Sequence, residues 1–157
     1  MLPDQTLFKR LIDIGIALSA ENDTEKLMER ILVEAKELGN ADGGTLYIRT
    51  KEDTLRFEII RNDSLGLAQG GTSGEEITIP PQLMYNKDGS PNNKQMVSSA
   101  ALSGETLNII DAYDSSEFDF SGTKKFDEGT GYTTTSVLTV PMKNRQDEVI
   151  GILQLLN

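Results

Sequence analysis

The chain contains no cysteine and no histidine among its 157 residues. The absence of cysteine excludes disulfide bonds, thiolate nucleophiles and thiolate metal sites, and it fits a reducing compartment. The absence of histidine removes the Ser/His and Cys/His catalytic arrangements, most zinc sites and the common axial ligands of haem. These absences narrow the catalytic and metal-binding chemistry open to the chain, and we expect a domain that is not an enzyme and that carries neither a metal nor a cofactor.

Long apolar runs are also missing. No uncharged stretch approaches the roughly 20 residues needed to cross a bilayer, and Met1 does not begin a basic segment that leads into an apolar one. We expect a soluble, cytoplasmic protein with no signal peptide and no membrane contact. The net charge of −10 argues against DNA or RNA as a partner, because phosphate backbones are bound through clustered Lys and Arg.

Two amphipathic helices are predicted at the start of the chain, over residues 4–18 and 23–38, with Gly39 ending the second in a left-handed cap. Apolar residues of the first helix recur at spacings of four and three. This seam fits either packing within the domain or pairing with the same helix in a homodimer, and the sequence leaves both open. The seam consists of Leu7, Leu11, Ile14 and Leu18.

After the second helix, apolar and polar residues alternate one by one. This pattern predicts a β-hairpin whose strands lie around residues 46–48 and 55–59. Residues 62–93 are rich in Gly, Pro, Ser and Asn, with one strand-like piece at residues 77–79. A loop of this length in a compact domain is usually functional or mobile.

The second half of the chain predicts a short helix over residues 94–102 and a strand over 107–111. Polar, loop-like sequence follows, with a turn or two of helix near 123–126. Two closing strands, 136–142 and 149–156, are apolar on both faces, as central strands covered on both sides should be. Together these elements predict a single α+β domain over residues 1–157 with an antiparallel sheet.

Several short motifs in this order resemble the GAF domain family. An acid and the turn Thr130-Gly131-Tyr132 lead into a strand that contains Pro141, and Val149-Ile150-Gly151 opens the last strand, which is followed by Asn157. Upstream, residues 41–48 resemble the family's first strand, and residues 102–113 resemble its joint between a helix and a strand. The resemblance covers nearly the whole chain.

The resemblance implies a six-stranded antiparallel sheet, with helices on one face and a pocket roofed by loops on the other. It also implies a regulatory domain of a signalling protein that senses a small molecule, with cAMP or cGMP as the ligand, and that controls an output domain in the same chain. A bacterial phosphohydrolase, cyclase or kinase would be such an output domain. We expect the chain to be a fragment, with the following helix and the output domain lying beyond Asn157.

The family's cyclic-nucleotide pocket implies a set of ligand-binding residues by position. Thr hydroxyls suit ribose or phosphate oxygens, and a carboxylate or an amide suits the edge of a purine. The last-strand position is an acid in that group, whereas this chain has Gln154 there, which leaves the base preference open. The implied residues are Thr45, Asn62, Asp63, Asp127, Thr130, Thr134 and Gln154.

Several alternatives stay open. Asp127 can simply cap a helix, and Thr130-Gly131 is also a common turn signal. The run Lys125-Phe126-Asp127-Glu128 is similar to part of the NKFDE motif of cyclic-nucleotide-binding domains, but its place in the chain favours chance. A ligand-free dimerisation and relay module is the main functional alternative, and an enzyme or a metal site built on acids such as Asp111 and Asp114 is a weak third.

Overall fold

The computed structural model describes residues 5–157. Four helices are present in this part of the chain: α1 (Gln5–Ala20), α2 (Thr24–Leu38), α3 (Met96–Ser103) and α4 (Ser121–Thr130). The strands are β1 (Gly43–Arg49), β2 (Thr54–Asn62), β3 (Leu67–Gly70), β4 (Gln82–Leu83), β5 (Leu107–Ile109), β6 (Val137–Lys143) and β7 (Val149–Leu156). No helix in the described residues is long and apolar enough to cross a membrane.

The strands form one antiparallel sheet in the order β3-β2-β1-β7-β6-β5, and the short β4 pairs with the start of β2. Strands β1 and β7 lie at the centre, where Thr45 is opposite Gln154. Their apolar residues face both sides of the sheet because both sides are covered. The predicted α+β class with an antiparallel sheet is therefore confirmed.

Helix α2 covers one face of the sheet, and α1 packs on α2. Asp23 caps the start of α2, since its side chain accepts from the backbone N–H groups of Glu25 and Lys26. Leu32 is fully buried against the sheet, and an added Cβ on Gly44 would lie 2.7 Å from its Cδ1 atom. Only glycine allows this close approach of helix and strand.

The other face is covered by α3, α4 and neighbouring loop residues. Here Tyr47 and Ile152 of the central strands pack against Val97 of α3 and Met84, which follows β4. A neighbouring cluster joins Met96, Ile109, Ala112, Phe120 and Val137. The expected loop roof is thus reinforced by two short helices.

Some sequence predictions were wrong in detail. Residues 77–79 are not a strand, and the pairing segments of this region are β3 and β4. Gly39 has a φ of −83°, and the left-handed residue after α2 is Asn40 with a φ of 50°. The helix predicted near 123–126 extends over the ten residues of α4. The first residue of the predicted helix 4–18 lies outside the described residues.

Candidate ligand cavity

A cavity of about 320 Å³ opens on the sheet face that carries α3 and α4. Its floor contains the cross-strand row Ile60, Thr45 and Gln154, which the strand register places side by side on β2, β1 and β7. Tyr47 and Phe57, whose ring centroids are 4.6 Å apart, form an aromatic wall next to this row. The cavity therefore combines apolar walls with a few polar groups, as small-molecule sites usually do.

Gln154 is a half-buried polar residue on the floor of this cavity. Its Nε2 atom donates a hydrogen bond of 3.0 Å to Oγ1 of Thr139, the residue opposite it on β6. Among the described residues, none donates a hydrogen bond to its Oε1 atom, and none accepts one from the second N–H of its amide. Gln154 can therefore offer a ligand both an acceptor and a donor.

The start of α4 forms one end of the cavity. Gly122 and Thr123 line the space, and the N-cap residue Phe120 provides no side-chain cap. A helix N-terminus favours a negatively charged group through its free N–H groups and its dipole. Asp119 lies beside it and accepts from the N–H of Ser121. Hydrogen bonding by the side chain of Ser121, and then by its backbone N–H, lowers the pKa of Asp119.

Arg61 is the one cation among the described cavity-lining residues, but its guanidinium already forms hydrogen bonds with other protein groups. It donates to Glu29 of α2 and to the backbone carbonyls of Ile60 and Gln69. An anionic ligand group in the described part of the cavity would thus rely on backbone N–H groups and not on a basic side chain.

Asp127 holds the wall of the cavity in place and does not line it. Its carboxylate, 4% exposed, accepts hydrogen bonds of 2.8 Å from the N–H and the hydroxyl of Thr134 and from the hydroxyl of Tyr113. The hydrogen bond to Asp127 raises the pKa of Tyr113. Thr134 does line the cavity, but its hydroxyl proton is given to Asp127.

Of the other residues that the family resemblance implies for ligand binding, only some line the cavity. Asn62 lines the cavity and is 3% exposed, with its Oδ1 atom accepting from the N–H of Leu65. Asp63, the next residue, points to the other face and accepts from Nζ of Lys36 at 2.6 Å. Thr130 is exposed at the end of α4 and donates to the carbonyl of Phe126. The cavity thus gathers Thr45, Asn62, Thr134 and Gln154 but not Asp63, Asp127 or Thr130.

A second polar cluster, at the ends of the strands, was missed by the sequence analysis. The Tyr132 hydroxyl donates to Asp42 at 2.8 Å and accepts from Nδ2 of Asn157 at 3.1 Å. Burial and the hydrogen bond to Asp42 raise the pKa of Tyr132 to about 12. Hydrogen bonds from Ser64 and Tyr132 lower the pKa of Asp42. The cluster fixes the segment after α4 that carries Thr134.

Gln82 and Gln95 also line the cavity and escaped the sequence analysis, because neither belongs to a motif that marks it. The acidic metal site considered as a weak alternative does not form: no group of three or more potential metal-ligating side chains occurs among residues 5–157.

The profile of the GAF domain family matches residues 23–157. The cGMP-specific 3',5'-cyclic phosphodiesterase of Drosophila sechellia is 27% identical over 99% of this chain, and the match spans 12% of that protein. The dual 3',5'-cyclic-AMP and -GMP phosphodiesterase 11A of Takifugu rubripes is 35% identical over 51% of this chain and 8% of its own length.

Solved structures agree on the fold. The GAF domain of an Acinetobacter phosphoenolpyruvate-protein phosphotransferase superposes with a TM-score of 0.66 at 13% identity, covering 99% of this chain and 78% of that one. The chain spans about an eighth of the length of the phosphodiesterase from Drosophila. Because the family profile covers most of its length, the chain belongs to the GAF domain family.

Proposed function

We propose that this domain senses a cyclic nucleotide, cAMP or cGMP, in the cavity between the sheet and α4, and that binding controls an output domain. The observation that carries the proposal is the cavity itself, of about 320 Å³, with Thr45 and Gln154 as a polar row in an otherwise largely apolar floor. The similarity of 99% of the chain to a cGMP-specific phosphodiesterase supports the ligand class. The proposal includes a cytoplasmic, non-catalytic domain, in keeping with the absence of cysteine and histidine.

The base and the cyclic phosphate of the ligand would each lie beside suitable groups. The purine would lie against the aromatic wall of Tyr47 and Phe57, where a flat ring gains contact area. Gln154 would bind the edge of the base, and its donor and acceptor suit both adenine and guanine. The cyclic phosphate would lie at the first turn of α4, near Gly122 and Thr123.

Control of an output domain requires that the ligand bind one arrangement of the domain better than another. The roof of the cavity provides a connection to the helices. Thr72, in the loop between β3 and β4, donates to Glu29 of α2, and the same loop carries Ile79 over the cavity. Closure of this loop on a ligand would therefore act directly on α2.

Thermal unfolding in the presence of cGMP, cAMP and 5'-GMP tests the proposal. At about one hundred times the dissociation constant, a ligand adds about 2.7 kcal/mol to the stability, which raises Tm by about 5 to 10 °C for a domain of this size. We expect this shift with at least one cyclic nucleotide and a much smaller one with 5'-GMP.

Matched variants locate the site. Thr45→Val and Gln154→Leu each remove a polar group from the floor and should weaken binding by about tenfold or more, since the partner group of the ligand is left unpaired. Thr133→Val and Gln146→Leu make the same chemical changes at exposed positions and should leave affinity unchanged. Equal loss in both pairs would show that the cavity is not the site.

A ligand-free dimerisation and relay module is the second candidate function. It is favoured by the apolar surface of α1, which has no buried residue within the domain. If neither cyclic nucleotide shifts Tm and the chain still dimerises, this second function replaces the first.

A further inference from the structure

A second cavity, of about 440 Å³, lies on the face of the sheet that α2 covers. It is bounded by α1, the last turns of α2 and the end of β2, on the opposite face from the candidate ligand cavity. Among its described lining residues three are cations, Arg10, Lys36 and Arg61, although the chain carries a net charge of −10. Val33 and Ala41 add a small apolar surface. A concave site with both features suits a small organic anion.

Lys36 is buried at the wall of this second cavity, which is rare for a lysine. It is 6% exposed, and its stem lies against β1, where an added Cβ on Gly44 would be 3.2 Å from Cγ of Lys36. The stem thus fills space on the sheet while the ammonium group reaches the cavity. Of its three N–H donors, one bonds to Oδ1 of Asp63 at 2.6 Å, and the described residues offer no acceptor to the other two. Two donors of a buried cation are therefore available to a ligand.

Two carboxylates of the chain itself occupy the cations of the second cavity. Asp63 accepts from Lys36, and Glu37 accepts from Nη2 of Arg10 at 2.7 Å. Both acids lie at the rim, since their side chains are 71% and 60% exposed. Water can solvate these carboxylates as soon as they turn outward, so their release costs little if another anion takes their place on the buried Lys36.

We propose that the second cavity binds a short-chain dicarboxylate, whose two carboxylates replace those of Asp63 and Glu37 on Lys36 and Arg10. The charge of the site is unchanged by this exchange, because two negative charges leave and two arrive. A monocarboxylate would restore only one of the two ion pairs. The planar fork of Arg10 suits a carboxylate held by two parallel hydrogen bonds, and Lys36 acts as a compact charge with rotatable donors.

The apolar lining favours an organic dianion over phosphate. Val33 is 38% exposed and Ala41 is half-buried, so both have surface that the carbon chain between the carboxylates can cover. Phosphate has no apolar part and gains nothing from this contact. Arg61 borders both cavities but takes no part in the exchange, since it already donates to Glu29 and to two backbone carbonyls.

A ligand in the second cavity would join two helices. Arg10 belongs to α1 and Lys36 to α2, and α1 packs on α2 without burying a residue of its own. A dicarboxylate bound by both cations would hold α1 more firmly against α2. The second cavity would therefore be an effector site that acts on the position of α1. None of its binding groups belongs to the site proposed for the cyclic nucleotide.

Calorimetric titration with succinate and glutarate, at an ionic strength held constant with sodium chloride, tests the proposal. We expect saturable binding of at least one of the two at millimolar concentrations or below. Butyrate should bind about tenfold or more weakly, because it forms one charge-assisted pair fewer. The absence of saturable binding would overturn the site, and binding of inorganic phosphate as tight as that of the dicarboxylates would overturn the ligand class.

Matched variants locate the binding groups. Lys36→Met keeps most of the buried stem and removes the ammonium group, so it should weaken succinate binding by about tenfold or more. Arg10→Gln should have a similar effect, and its exposed position leaves the fold intact. Lys26→Met and Arg145→Gln remove the same charges at exposed positions outside the cavity and should leave the affinity unchanged. Equal losses in the cavity variants and in these controls would show that only the overall charge matters and would refute the proposal.

The exchange of carboxylates makes a further prediction that a purely structural role of these ion pairs does not. Asp63→Asn and Glu37→Gln each remove a carboxylate that competes with the ligand, so each should tighten succinate binding severalfold. In Asp63→Asn, the ligand also supplies the missing partner of Lys36, so succinate should raise Tm more than in the native chain. Weaker binding in both variants would contradict the exchange. These measurements use no nucleotide, so their outcome is separate from that of the sensing proposal.

Discussion

Replacement of Asp127 by alanine should destabilise the domain strongly, although this residue does not line the cavity. The carboxylate is 4% exposed and accepts three hydrogen bonds of 2.8 Å. Two of them come from Thr134, whose exposure is 0%, and one comes from Tyr113, which is 48% exposed. Asp127→Ala therefore leaves two donors of Thr134 without partners in a region that water does not reach.

The expected cost follows from these exposures. A buried polar group without a partner costs about 1 to 3 kcal/mol, so the two donors of Thr134 together give about 2 to 6 kcal/mol. Tyr113 can bond to water instead and adds little. Tyr113→Phe, which removes only this exposed hydrogen bond, should cost about 0.5 kcal/mol or less.

Urea unfolding followed by circular dichroism measures both values. Thr134→Val serves as a further control, because the double variant Asp127→Ala/Thr134→Val has one unpaired donor fewer than Asp127→Ala. The double variant should therefore lose less stability than the sum of the two single variants. A cost below about 1 kcal/mol for Asp127→Ala, or an equal cost for Tyr113→Phe, would refute this account of the cavity wall.

Three other predictions concern packing and pH. Gly151→Ala should destabilise by about 2 kcal/mol or more, since its Cβ would lie 2.5 Å from the carbonyl oxygen of Tyr47, whereas Gly129→Ala should be tolerated because nothing lies within 4 Å. The lowered pKa of Asp42 stabilises the fold above about pH 4, and this contribution should disappear on acidification in the native chain but not in Asp42→Asn. The pKa of Tyr132, raised to about 12, stabilises the fold below about pH 10, and this contribution should be lost between about pH 10 and 12. When urea unfolding is measured against pH, Tyr132→Phe should not show this loss of stability.

The helices and strands with the clearest sequence patterns could be predicted from the sequence. The last strand was expected over residues 149–156, and β7 covers Val149–Leu156, because an uninterrupted apolar run after a polar turn is typical of a central strand. The second helix was expected from residue 23, and α2 begins one residue later because Asp23 caps it through bonds to the next turn of backbone. Strand β3 was missed since Leu67–Gly70 has no alternation and lies at the sheet edge.

The candidate site was harder to predict because its geometry depends on contacts between distant residues. Asn62 and Asp63 were equivalent in the sequence, yet one step along a strand reverses the face, so Asn62 lines the cavity and Asp63 meets Lys36. The hydrogen bond between Tyr132 and Asp42 joins positions 90 residues apart, a separation at which a sequence pattern gives no signal. Local patterns thus identify strands and turns, whereas tertiary contacts decide which polar groups remain free for a ligand.

The most direct test of the sensing account is a titration of the ¹⁵N-labelled chain with cGMP and with cAMP, followed by two-dimensional NMR. We predict saturable shifts of the amide signals of Thr45, Gln154 and Thr123, together with the side-chain amide of Gln154, while Ile110 on the far edge stays unchanged. The absence of shifts with millimolar cGMP and cAMP, or shifts confined to residues outside the cavity, would contradict the claim that this cavity binds a cyclic nucleotide.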